Sequence, residues 1–490
     1  MFRFEKFNTG TIVNAQPVER VVEFSPAGLD VGDVARVLSL AVDGKVVAAE
    51  SNEGYADISG RVNFRLVYLN RDGAVRGVDY NADFNLKVDG EFSAGDAVNA
   101  DVAVVEADVT TGESVTLSAV VSVRAGAVRR GEEECLVDAE KCYKTTESVL
   151  LPSLVASKAV AVSLTEEVDA GDVDSVLLLD AQAIVTDAKA GDGVLTVEGR
   201  LRATVSYTED GEMYSREVTV PFSEEIAAEG VIEGDKVAAQ ATVRATRLVL
   251  AGVPGANVIR TEAEVALKVN VFRVREADVI ADMFMLTNEV ELTRESRKFT
   301  FFGGVKYAEE NISGTAPLED RPPAESVVAV PYARCYVAKA ERTDSGALIE
   351  GVLAADIVYR DENGLNSVRA EVPYSVEVDG DFGAEVRANC ILQNITAKAR
   401  RGELEISAEA GILITFYEVG EAEYISAVEV GAEKEKNESA LSLYIVAEGD
   451  ALWDVCKALT ATPEEILEQN PSLSVPLSAG DRIVFFRALG

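Results

Sequence analysis

Apolar and polar positions alternate with period two in three stretches of the chain: GRVNFRLVYLNRDG from Gly60, GRLRATVSYTEDG from Gly199 and GVLAADIVYRDENG from Gly351. In the first, Val62, Phe64, Leu66 and Tyr68 share one face and Arg61, Asn63 and Arg65 the other; the second sets Leu201, Ala203, Val205 and Tyr207 inward, the third Leu353, Ala355, Ile357 and Tyr359. Period two over this length predicts a half-buried β-strand, and the glycines that close each stretch (Gly73, Gly211, Gly364) predict hairpin turns.

The similarity extends in both directions and makes these strands internal repeats. Matching segments begin at Gly32 and Gly171 and, with a one-residue slip, at Pro323; downstream, Phe84, Phe222 and Tyr374 align, and each copy ends in a further alternating strand. Five or more strands per copy with turn-rich connections predict a β-sandwich or open barrel. The recurring tyrosine reads as core or corner packing rather than chemistry. The alignment breaks place β domains at 1–128, 129–274 and 275–430, with GAEKEKNESALS (431–442), polar and mixed in charge, as a linker.

Beyond the linker, at 443–490, the period changes. LYIVAEGD predicts a short strand, Leu452, Val455, Cys456 and Leu459 recur at helical spacing, TPEEILEQN opens a second helix, and DRIVFF predicts a closing strand. Asp450 is the expected N-cap of the first helix and Thr462, followed by Pro463, that of the second. The fold class expected is therefore mainly β: three β-sandwich or open-barrel domains in tandem and a small βααβ domain. The length agrees, since at roughly 100–200 residues per domain a chain of 490 divides into several units.

Composition narrows function mainly by exclusion. The 84 acidic residues against 46 basic ones give a formal charge of -38, which argues against nucleic acid and against anionic membrane surfaces and keeps a protein soluble. Histidine is absent, which removes the commonest general acid/base near neutral pH and the commonest zinc ligand. No nucleophile–base pair or metal-ligand spacing replaces it, so neither an enzyme nor a cofactor is expected. The five cysteines, Cys135, Cys142, Cys335, Cys390 and Cys456, are scattered without a CxxC pair and suit a reducing compartment. The opening MFRFEKFNTGTIV lacks a signal-peptide core and no apolar run approaches a membrane span, so a cytoplasmic protein is expected and the sequons at Asn311, Asn394 and Asn437 are chance matches.

The C-terminal stretch resembles a LysM domain, through Tyr444, Val446, Gly449, Asp450, Leu452, Trp453, Leu467, Asn470, Pro471, Leu477, Gly480 and Ile483. The upstream copies resemble the SPOCS domains that accompany a C-terminal LysM in spore-coat morphogenetic proteins of the clostridia. Pro221, Phe222 and Ser223 carry that motif intact in the second copy, whereas the first has Asp83 for the proline and the third Tyr374 for the phenylalanine. The resemblance implies a non-enzymatic scaffold on the mother-cell side of the forespore surface, whose LysM domain docks a coat-morphogenetic ATPase and helps encase coat material. It also implies a groove between the loop before the first helix and the loop after the second, with Gly449, Asp450, Ala451, Leu452, Ile466, Asn470 and Pro471 as candidate contacts. For each a structural role stands beside the binding one: turn and cap for Gly449 and Asp450, core for Leu452 and Ile466, helix end for Asn470 and Pro471. LysM grooves generally read N-acetylglucosamine polymers, so a peptidoglycan-binding protein is the alternative. Ala451, without the hydroxyl many family members carry there, favours a protein occupant. Trp453, the sole tryptophan, reads as packing on the back of the first helix. Edge strands of the β domains leave homo-oligomers open.

Overall fold

The computed structural model describes residues 1–253, 256–318, 321–435 and 440–487. Strand dominates, as expected, and the repeats are visible element by element. The first copy comprises β1 (Phe2–Asn14), β2 (Val18–Phe24), β3 (Val34–Asn52), β4 (Tyr55–Asn70), β5 (Val75–Asp89), β6 (Ala97–Thr111) and β7 (Val115–Ala139). The second comprises β8 (Tyr143–Ala170), β9 (Val173–Gly191), β10 (Val194–Glu209), β11 (Glu212–Ala227), β12 (Lys236–Val253) and β13 (Ala256–Phe284). The third comprises β14 (Asn288–Pro317), β15 (Ser326–Arg342), β16 (Gly346–Asp361), β17 (Gly364–Asp379), β18 (Glu385–Arg400) and β19 (Glu403–Glu433). The chain closes with β20 (Leu441–Ile445), α1 (Leu452–Leu459), α2 (Pro463–Gln469) and β21 (Arg482–Phe486).

Each copy is a sandwich of two antiparallel sheets. One sheet has the order β3-β4-β5, β9-β10-β11 or β15-β16-β17; the other is centred on β7, β13 or β19, flanked by β6, β12 or β18 and by β1 with β2, β8 or β14. The inward positions read from the alternation face the core, where Phe64 and Leu66 of β4 meet Leu117 and Val121 of β7, and Leu353 and Ile357 of β16 meet Ile406 and Ala410 of β19. The repeated glycine and the repeated downstream aromatic are a cross-strand pair: Gly60 opposes Phe84, Gly199 Phe222 and Gly351 Tyr374. A methyl group on Gly60 or Gly199 would lie 2.2 Å from the tip of its partner's ring, so the glycine is the seat on which the ring lies.

Equivalent strands carry each copy onto the next: β5 meets β9, β11 meets β15, and β17 returns to β3, which closes a ring about a pseudo-threefold axis. Along that seam Leu38, Ala41 and Val67 of the first copy, Leu177, Leu178 and Met213 of the second and Ala329, Tyr332 and Val358 of the third form one cluster. Closure buries positions that alternation assigns to solvent, including Arg202, Thr204 and Ser206 on β10.

The expected boundaries at 128/129 and 274/275 fall inside β7 and β13, which run through them without a break. The far halves of β7, β13 and β19 leave the sandwiches paired with β1, β8 and β14 and pack into a six-stranded stalk. Its core contains Phe7, Cys135, Leu151, Val279, Phe301 and Tyr424. Of the expected linker, β19 takes residues to Glu433 and β20 begins at Leu441, while 436–439, with Asn437, lie outside the described residues, as do 488–490.

Candidate functional site

The C-terminal unit has the expected order β-α-α-β. In the antiparallel pair of β20 and β21, Leu441 opposes Phe486, Leu443 opposes Val484 and Ile445 opposes Arg482. The two helices cover one face of this pair, burying Val446, Val455, Cys456, Leu459, Ile466, Ile483 and Phe485. Burial, with help from Glu464, pushes the Cys456 thiol up to about 11, leaving it neutral and unreactive.

The capping differs from expectation at the first helix. Ala451, not Asp450, is the N-cap, and the Asp454 carboxylate accepts from its N–H at 2.8 Å. Asp450 closes the preceding loop instead, accepting from the Ala447 N–H at 2.8 Å and the Tyr444 hydroxyl at 2.9 Å. Thr462 caps α2 as expected: its hydroxyl accepts from the Glu465 N–H at 3.1 Å and the Glu465 carboxylate accepts from the Thr462 N–H at 2.9 Å.

The seven candidate groove residues divide by what they can offer. Gly449, in the left-handed region at φ 94°, Ala451 and Pro471 are exposed. One oxygen of the Asp450 carboxylate, Oδ2, takes both bonds from its loop. Asn470 spends its amide internally, donating to the carbonyls of Ile466 and Val484, each at 2.8 Å, and accepting from the Val484 N–H at 2.9 Å, so it ties α2 to β21. Ile466 is fully buried and presents no free face to a ligand, whereas Leu452 is half-buried against the unit's core and keeps part of its surface open.

Two features were not read from the sequence. The first is the outer face of the β20–β21 pair, where Leu441, Leu443, Ile445 and Phe486 are each between 54% and 61% exposed. The signal was available: LSLYIV is apolar on both of its alternating faces, and the following sequence supplies helices for only one. Four large apolar side chains in one open sheet face exceed the scattered exposure normal for a surface.

The second is the seat of Trp453. Its indole N–H donates to Asp282 Oδ2 at 2.7 Å, its ring meets Phe284 edge-on with centroids 5.0 Å apart, and Phe284 stacks on Tyr143 at 5.4 Å. Lys457 donates to the same Asp282 oxygen at 2.7 Å, and Arg294 reaches the other at 2.7 Å. Burial works to raise the Asp282 carboxyl, and the bonds from Lys457 and Trp453, with Arg294 nearby, hold it below its ordinary value. Trp453 thus joins α1 to the stalk tip as well as packing within its own unit. No sequence pattern signals a partner 171 residues away.

Among the described residues, no cluster of three or more His, Cys, Asp or Glu could hold a metal ion, and no helix is long and apolar enough to cross a membrane. Residues 172–249 match the family described as SipL, SPOCS domain. The match covers β9, β10, β11 and most of β12, whose counterparts in the other copies are β3 to β6 and β15 to β18. Comparison with curated proteins and with solved structures finds no match.

Proposed function

We propose that this chain is a non-enzymatic scaffold of spore-coat assembly, acting in the mother-cell cytoplasm at the forespore surface, with three SPOCS-like copies as a platform and a LysM-like unit as its docking module. The match of residues 172–249 supports a sporulation-related coat protein. The observation that carries the docking role is the open apolar face of Leu441, Leu443, Ile445 and Phe486. A sugar polymer is gripped by polar groups, yet Asn470 spends its amide internally and Asp450 commits one carboxylate oxygen to its own loop; a broad apolar sheet face suits a protein surface. The partner is a coat-morphogenetic ATPase, and the linkage through Asp282 holds the docking face at a fixed place on the stalk.

The test is a pull-down from sporulating cells of the source organism with the full chain and with the double variant Leu443→Glu/Ile445→Glu. Recovery of a coat ATPase by the wild type and its loss with the variant support the reading. Retention of both proteins on insoluble peptidoglycan, with no ATPase recovered, would establish the glycan alternative in its place. Circular dichroism confirms that the variant is folded, as substitutions on a solvent face should leave it.

A further inference from the structure

Where the sandwiches give way to the stalk, the outer faces of the β6–β7, β12–β13 and β18–β19 sheets converge on the pseudo-threefold axis around a cavity of about 220 Å³. A water molecule occupies about 30 Å³, so there is room for a multi-atom ligand with part of its hydration. Each copy contributes one cation to the wall: Arg124 from the first, Lys268 from the second and Arg387 from the third; the only carboxylate lining it is that of Asp101. In a chain with 84 acidic residues and 46 basic ones, three cations against one carboxylate reverse the prevailing balance.

Two of these cations are poorly neutralised. Among the described residues, neither Arg124 nor Lys268 has a carboxylate within 4.0 Å. Arg124 donates to the Val337 carbonyl at 3.5 Å and Lys268 to the Val98 carbonyl at 3.4 Å, both long bonds. Arg387 is held by Glu385 at 2.9 Å and lies over the Tyr417 ring at 5.7 Å. Burial lowers Lys268, and it raises Asp101 against the opposing pull of Arg124 and Arg387, the two signs expected of charges removed from water without full compensation. The Asn99 carbonyl oxygen, also in the wall, is buried with no hydrogen-bond partner.

We propose that this axial cavity binds one small multivalent oxyanion of the phosphate or polycarboxylate class. Arg124, Lys268 and Arg387 would approach it from three directions, and Asn99 would accept from a protonated ligand oxygen. None of the docking-face residues lines the cavity, and the site stands or falls independently of that function. Because the chain as a whole repels anions, adventitious uptake is disfavoured and saturable binding is diagnostic.

The experiment is isothermal titration calorimetry of the full chain at low ionic strength, with inorganic phosphate and citrate as separate probes and chloride at matched ionic strength as control. One saturable site per chain is expected for at least one probe, and the tighter of the two identifies the ligand class. Lys268→Met and Arg124→Gln should each weaken binding at least tenfold, while Lys189→Met, at an exposed residue paired with Asp187, should leave it unchanged. Wild-type melting should rise with that probe and not with chloride, a readout that needs no variant to fold. The proposal is overturned if neither probe gives saturable heat and neither raises the melting temperature, or if folded Lys268→Met and Arg124→Gln bind as the wild type does.

Discussion

Replacing Asp282 by alanine removes a carboxylate that three groups share. Its side chain is 19% exposed, so the bond from the Trp453 indole is largely screened from water and falls in the range of about 1.5–3 kcal/mol for hydrogen bonds to charged groups. The Lys457 and Arg294 side chains are 39% and 51% exposed and regain water when released, so each of those pairs contributes about 0–1 kcal/mol. The loss is therefore about 1.5–5 kcal/mol, at its lower end a shift of about 13-fold in the docking equilibrium. Phe284, still edge-on to Trp453, retains about 0.5–1.5 kcal/mol of aromatic contact. Because Trp453 is the sole tryptophan, its fluorescence reports on this junction alone. In Asp282→Ala, emission should shift to the red and acrylamide quenching should increase, with far-UV circular dichroism unchanged because both bodies stay folded. Lys457→Met should produce a smaller change of the same sign. If the Asp282→Ala emission maximum and quenching constant equal those of the wild type, the C-terminal unit is held to the stalk by other contacts and the reasoning fails.

The same junction should respond to acid: since the folded Asp282 carboxyl lies below its unfolded value, its contribution is complete above about pH 4 and lost as pH falls through the folded value, so a wild-type acid transition in tryptophan quenching should be reduced in Asp282→Asn. Gly199→Ala drives a methyl into the Phe222 ring and should destabilise by about 1–3 kcal/mol, seen as a fall in melting temperature. Asp356→Ala strands Arg369 and the donors of Ser39 and Leu40 at a seam between copies, and should cost about 3–5 kcal/mol, read as a lowered urea midpoint. Native alkylation near pH 8 should modify half-buried Cys142 before Cys135 and Cys456, whose thiols burial pushes up to about 12 and about 11; mass spectrometry of tryptic peptides gives the order.

What could be read from the sequence followed local periodicity. The inward residues of β4, β10 and β16, the hairpin glycines and the βααβ order of the last segment all lie within a few residues of the pattern that reveals them. Ring closure was hidden because Arg202, Thr204 and Ser206 look like solvent positions, and their burial depends on another copy more than 100 residues away. The stalk was hidden for a related reason: β7 alternates identically whether its inner face meets β4 or the strands of a neighbouring copy, so nothing in its sequence marks the change of partner. At the candidate groove, the family resemblance implied contacts at Asp450 and Asn470, but a side-chain donor or acceptor in a tight loop satisfies the nearest backbone first.

The three seams of the ring also bear on self-association. The second and third copies are joined by Arg334 with Asp180; the third and first by Arg369 and Asp356 with Ser39 and Leu40; the first and second by a close backbone approach, where a methyl on Gly77 would lie 2.2 Å from the Leu177 carbonyl oxygen. Equivalent strands thus meet through three different chemistries. A ring assembled with a copy borrowed from another chain in the wrong position would leave Asp180 buried without Arg334, at about 3–5 kcal/mol for the broken pair, and would strip Asp356 of the Ser39 and Leu40 donors while its Arg369 stays with it. The seams therefore favour one cyclic order and close it within a single chain.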